Sequence, residues 1–199
     1  MTGQVNDTFN YKKVNYSISG IEYPDKFFNI GDYGLSPGSY CTACWRGFVA
    51  FFAINRNKQL ILQHLHTNAG SLEEDDMPRI NGEKPIVNNK NQFFGPLEYR
   101  NIGLPLTYSG GVLITDGFIS ERYIHMGFQS PLIYELVLEL KFENGLFVSE
   151  TDLSDMIKSQ RAITSELTDE EKWENLPKWI DEQFDLSYIK LYKSTMEEN

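Results

Sequence analysis

Ser39-Tyr40-Cys41-Thr42-Ala43-Cys44-Trp45-Arg46-Gly47 runs directly into Phe48-Val49-Ala50-Phe51-Phe52-Ala53-Ile54, and after Asn55-Arg56-Asn57-Lys58 the chain returns through Leu60 to His66. Two apolar, β-rich runs separated by a short polar turn read as a long buried β-hairpin. The stretch also holds both cysteines, a Trp and an Arg. It therefore sets the fold class and supplies the first candidate chemistry.

A second hairpin follows the same logic. Tyr134 to Phe142 alternates, Glu143-Asn144-Gly145 carries the Asn-Gly turn signal, and Leu146 to Val148 returns. The two hairpins agree in pattern and not in identity, so duplication and convergence on a common hairpin both account for them. Before the first, residues 1 to about 40 read as strand and turn, punctuated by Gly20, Tyr23-Pro24-Asp25, Gly31, Gly34 and Pro37-Gly38. Between the hairpins, residues 67 to 95 are loop-rich. Leu104 to Ile114 and Phe118 to Met126 read as further strands, with breaks at Gly110-Gly111 and Asp116-Gly117.

The character changes near Asp152. Leu153 to Ile163 has helical spacing, with Asp152 or Ser154 as cap, and Thr168 to Glu171 is a capping-box pattern. Trp173, Leu176, Ile180 and Phe184 then share one helical face. Pro177 suits the first turn of a new helix, which predicts a kink there and a helix to about Tyr192. From residue 151 onward there are 12 Asp/Glu and 6 Lys/Arg, a net of −6. The expected fold is α+β. An antiparallel β-sheet, or a partly open barrel or sandwich, over residues 1–150 is packed by a helical segment over 151–199, all in one structural domain.

Composition narrows the function class. The 199 residues are 41% hydrophobic and 23% charged, as in a globular protein, and the 14% aromatic share favours β structure. A formal charge of −10 disfavours binding nucleic acid through phosphate neutralisation and favours basic partners or small molecules. No apolar run is long enough to cross a bilayer, which predicts no membrane association. The polar start Met1 to Asp7 does not read as a signal peptide, and two cysteines make no disulfide framework. The expected compartment is a reducing cytoplasm.

Cys41 and Cys44 form a C-x-x-C pair, a spacing used in redox exchange and in zinc ligation. Catalytic redox sites place the first Cys at a helix start, whereas strand follows here. Zinc is the better functional reading, because His64 and His66 alternate in the returning strand and complete a Cys41, Cys44, His64, His66 set. The bland alternative makes the cysteines small buried apolar residues. Arg46 suits a bidentate carboxylate partner, within the fold or on a ligand, beside a packed Trp45. Gly47 suits a close backbone approach or a bulge. His125, with Glu121 or Glu135 nearby in sequence, could serve as an acid/base group or sit satisfied in a strand. The acidic run Glu73-Glu74-Asp75-Asp76 lacks the spacing of a calcium loop and reads as a solvated face able to meet a basic surface. No phosphate loop or nucleophile elbow is present in the sequence, and no cofactor is expected.

Thr42-Ala43-Cys44-Trp45-Arg46-Gly47-Phe48, with the hairpin ending Leu60-Ile61-Leu62, resembles a recurring ACWRGY segment in a group of small uncharacterised bacterial proteins. Tyr123-Ile124-His125-Met126-Gly127-Phe128, followed by Tyr134-Glu135-Leu136-Val137-Leu138, resembles a YVHMGY…YERDL segment of the same group. The resemblance covers about half of the chain, and within its pattern only the cysteine matching Cys44 recurs. Some small acidic proteins of this kind look like immunity partners of secreted bacterial toxins.

The sequence therefore leads to an expectation of a non-enzymatic intracellular binding protein, of immunity type, that neutralises a basic toxin or effector by covering its active surface. Glu73, Glu74, Asp75 and Asp76 are its contact residues, and Cys44, Trp45, Arg46, Gly47 and His125 form a motif that is mainly structural. The alternative is a zinc-binding or hydrolytic enzyme built on the Cys and His residues. Pairing of sheet edges between copies is a third, structural option.

Overall fold

The computed structural model of the protein describes residues 3–70, 72, 76–87, 95–123 and 127–164. Among the described residues, ten strands form one open, mixed sheet, and one α-helix follows them. The strands are β1 Thr8–Tyr11, β2 Val14–Ile21, β3 Phe48–Ile54, β4 Leu60–Thr67, β5 Ile86–Val87, β6 Leu97–Tyr99, β7 Leu104–Pro105, β8 Gly110–Phe118, β9 Tyr134–Glu143 and β10 Leu146–Asp152, and α1 is Ser154–Thr164. The order across the sheet is β10-β9-β8-β2-β1-β3-β4-β6-β5, with β7 on β4. The α+β class and both expected hairpins are present.

The sheet is not wholly antiparallel. β1 and β3 run parallel, Thr8 beside Phe51 and Phe9 beside Phe52. The short N-terminal strand thus lies mid-sheet, between β2 and β3. The sheet curls enough for the two hairpin tips to touch: Gly145 O accepts from the Leu60 amide at 2.8 Å, and Phe147 donates its amide to Lys58 O at 2.8 Å.

Two further expectations are corrected. β8 does not break at Asp116-Gly117 but continues to Phe118, Gly117 supplying a positive φ of 70° within the strand. In the described part of the strand expected over Phe118 to Met126, pairing ends at Phe118 and Ser120–Arg122 forms a 3-10 turn instead. His125 and the helices expected beyond Thr168 lie outside the described residues.

Strand alternation divides the side chains between two layers. Phe9, Ala50, Phe52, Leu62, Val112, Ile114, Leu138, Leu140 and Phe142 join the main core, which Phe27, Ile30, Leu35, Met77 and Ile80 close from the loops. Phe52 packs its ring at 4.7 Å from that of Phe27. Each of these Phe, Leu, Ile, Val and Met side chains stabilises the fold by about 1.5–3 kcal/mol through burial. The opposite face of β8 and β9 carries Leu113 and Val137, which pack with Leu132 and Ile133 of the 3-10 turn before β9 and with Ile157 of α1. The helix enters where expected: Asp152 Oδ1 accepts from the Ser154 amide at 2.9 Å, and Ser154 Oγ accepts from the Val137 amide at 3.1 Å. Arg161 fastens its last turn by donating from Nε to Leu132 O at 2.9 Å and from Nη2 to Tyr134 O.

Candidate functional site

The two motif segments meet. Residues 3–7 cross from one to the other as an extended strap. Gly3 forms a parallel bridge with Gly127, Gln4 donates its amide to Gly127 O at 2.8 Å, and Val5 donates to Ala43 O at 2.9 Å. The Gln4 side chain completes the join: Nε2 donates to Thr42 O, and Oε1 accepts from the Trp45 amide, both at 2.9 Å. Tyr123 Oη accepts from the Gly3 amide at 2.7 Å. Segments some 80 residues apart are thus held on one backbone strap, because an extended chain exposes donors and acceptors on both edges.

Arg46 lies at the centre of this junction. Its two terminal nitrogens donate to the two Asp7 oxygens, each at 2.7 Å, and Asp7 Oδ1 also accepts from the Ala50 amide at 2.7 Å. The guanidinium stacks over Phe48 at 4.6 Å and Phe128 at 5.1 Å, so it touches both motif segments. Of the two carboxylate partners open to Arg46, the one within the fold is realised.

Gly47 follows with φ 71°, and a side chain there would place its first carbon 2.0 Å from Gly38 O. The expected close approach is therefore present. Asn68, which sequence patterns did not single out, organises the surrounding loops. Its Nδ2 donates to Gly38 O at 2.7 Å and Gly47 O at 3.2 Å, and its Oδ1 accepts from the Gly38 and Gly70 amides. An Asn directly after a strand and two residues before Gly was the available signal for such a loop staple.

Trp45 is not packed as expected. It is 43% exposed, and Tyr40 on the same turn is 37% exposed. The loop leading into this turn also neighbours residues that flank the acidic run in sequence. On the entry side, Asn68 ties Gly38 to Gly70; on the exit side, a side chain placed at Gly34 would come to 3.8 Å from the Pro78 ring. Glu73, Glu74 and Asp75 are outside the described residues, and Asp76 is exposed.

The zinc set is not assembled. Cys44 is buried and donates Sγ–H to Phe48 O at 3.5 Å, and burial pushes its thiol pKa up. His64 and His66 do share a face, as expected, both against the Phe51 ring, but they face Glu98 rather than the cysteines. Glu98 lies 4.0 Å from His66 and pairs with Arg100 at 2.7 Å. His64 Nδ1 accepts from the Asn101 amide at 3.2 Å. Burial lowers the pKa of both imidazoles more than Glu98 raises it. Among the described residues, no three His, Cys, Asp or Glu side chains converge in a way that could hold a metal ion. Glu135, the suggested partner of His125, is 3.6 Å from Arg161.

No protein family matches the chain, nor does any curated protein or solved structure. Among the described residues, no helix is long and apolar enough to cross a membrane.

Proposed function

We propose that the protein is a non-enzymatic binding protein for a basic protein partner, acting as immunity-type proteins do by covering a cationic functional surface. The observation that carries this reading is the placement of two exposed aromatics, Trp45 and Tyr40, on a hydrogen-bonded turn whose approach loop is tied through Gly38 to Asn68, five residues before the acidic run begins in sequence. Interfaces are enriched in Trp and Tyr at their centres, and charged rims steer the encounter. The overall charge of −10 has the sign that draws a basic partner, and the acidic run Glu73 to Asp76 supplies four of its negative charges.

Arg46 supports the turn from beneath rather than offering its charge outward. Its fork is occupied by Asp7, and its faces by Phe48 and Phe128. The turn is thereby pre-organised, which reduces the ordering cost of binding.

The test is retention of a partner from the source cell by the tagged full chain, followed by affinity measurements with variants. A single basic, salt-sensitive partner is expected. Trp45→Ala should weaken it by roughly 30-fold or more, the scale of an interface hot spot. Charge reversal at Glu73 to Asp76 should mainly slow association. A partner bound equally well by both variants would refute this site.

A further inference from the structure

The Cys41–Cys44 pair is not absorbed by the binding reading, and its geometry differs from that of a catalytic redox motif. The two residues face each other as an antiparallel bridge across the two-residue loop Thr42-Ala43. Cys44 donates its amide to Cys41 O at 3.0 Å, and Tyr40 donates to Cys44 O at 3.2 Å. Residues opposed in a hydrogen-bonded pair have Cα atoms about 5.5 Å apart, within the range that a disulfide spans. They differ in access: Cys41 is half-buried, whereas Cys44 is buried and donates to Phe48 O. Neither sits at a helix N-terminus, so the activation that makes an oxidoreductase thiol catalytic is missing. What remains is a pre-aligned pair with one accessible member.

We propose that Cys41 and Cys44 are a modification site, a reversible dithiol–disulfide couple that exchanges with low-molecular-weight disulfides of the glutathione type. The Cys41 thiolate, its proton released to solvent, attacks one sulfur of the small disulfide. A mixed disulfide forms and one small thiolate leaves. Cys44 then loses its proton and its bond to Phe48 O, attacks the Cys41 sulfur, and expels the second small thiolate. Two protein thiols are oxidised to one internal disulfide, while one small disulfide is reduced to two thiols that take up the two protons. Closing so short a loop restricts the unfolded chain little, so the bond acts as a responsive link rather than a structural staple.

The experiment incubates the folded full chain with oxidised glutathione, quenches with acid, denatures, alkylates free thiols and measures the intact mass. The reduced protein should take up two alkyl groups, and the oxidised protein none, as a monomer without adduct. Reduced glutathione should restore both sites. Cys44→Ser should stop at a stable glutathione adduct on Cys41, and Cys41→Ser should be modified at Cys44 at least about tenfold more slowly, following thiol access. The wild-type measurement needs no variant to fold. Two thiols still alkylated, a persistent adduct on wild type, or a disulfide between two molecules would each overturn the proposal. The mass readout involves no partner, so the result stands or falls apart from the binding reading.

Discussion

Arg46 and Asp7, 39 residues apart, meet fork to fork with two hydrogen bonds of 2.7 Å, and the same carboxylate takes the Ala50 amide. Their side chains are only 15% and 11% exposed. One ion pair therefore joins the N-terminal strap, the Cys-Trp-Arg turn and β3.

Removing one member should leave a charge stranded in a poorly solvated place. Arg46→Met and Asp7→Asn are each expected to cost about 3–5 kcal/mol in urea unfolding. Arg46→Lys should recover only part of this, because an ammonium cannot fill both oxygens in a plane or stack on Phe48 and Phe128. A double variant that is no more destabilised than either single would identify the pair as one unit. Single variants within about 0.5 kcal/mol of wild type, the range of inert surface changes, would contradict the assignment.

Gly47 and Gly82 separate steric clash from backbone strain. Both have positive φ, 71° and 86°, but a side chain at Gly82 meets nothing within 4 Å, whereas at Gly47 it collides with Gly38 O. Gly82→Ala should cost about 1–2 kcal/mol, the left-handed penalty alone. Gly47→Ala should cost at least about 3 kcal/mol, because a backbone carbonyl must also move. Equal thermal shifts for the two would show that the loop yields freely.

His64 and His66 make stability fall with acid. Burial holds both folded pKa values below the ordinary 6.5. The unfolded chain therefore binds protons first, and stability present above about pH 6.5 declines as pH drops through 6.5 toward the depressed folded values. Glu98 opposes this but is outweighed by burial. Replacing both His by Gln should flatten the dependence of unfolding free energy on pH between about 7.5 and 5.5, around the ordinary histidine range. An unchanged slope would place the effect elsewhere.

Much of the sheet was readable because its hairpins are local. Phe48–Ile54 is the span expected for β3, and the Asn-Gly turn fixed β9 and β10. What was not readable depends on distant partners. Nothing near Thr8 announces that it will pair in parallel with Phe51, and nothing near Arg46 names Asp7. Gly117 misled because a positive-φ residue inside a strand looks like a break when its neighbours are unknown. Trp45 misled for a related reason. A large aromatic after a Cys suggests core, but the strap from Gln4 takes its backbone and leaves the ring outside.

The parallel pairing of β1 with β3 has a mechanical consequence. β2, β8, β9 and β10 lie on one side of β1, and β3 to β7 on the other, so the four residues of β1 are the seam of the molecule. The seam is fastened near one end by Arg46 on Asp7, and the touching hairpin tips, Lys58 to Leu60 against Gly145 to Phe147, tie the two sides a second time. The two sides also share one core, Phe52 and Leu62 with Val112 and Leu140, so these fastenings reinforce across β1 a union that burial already makes.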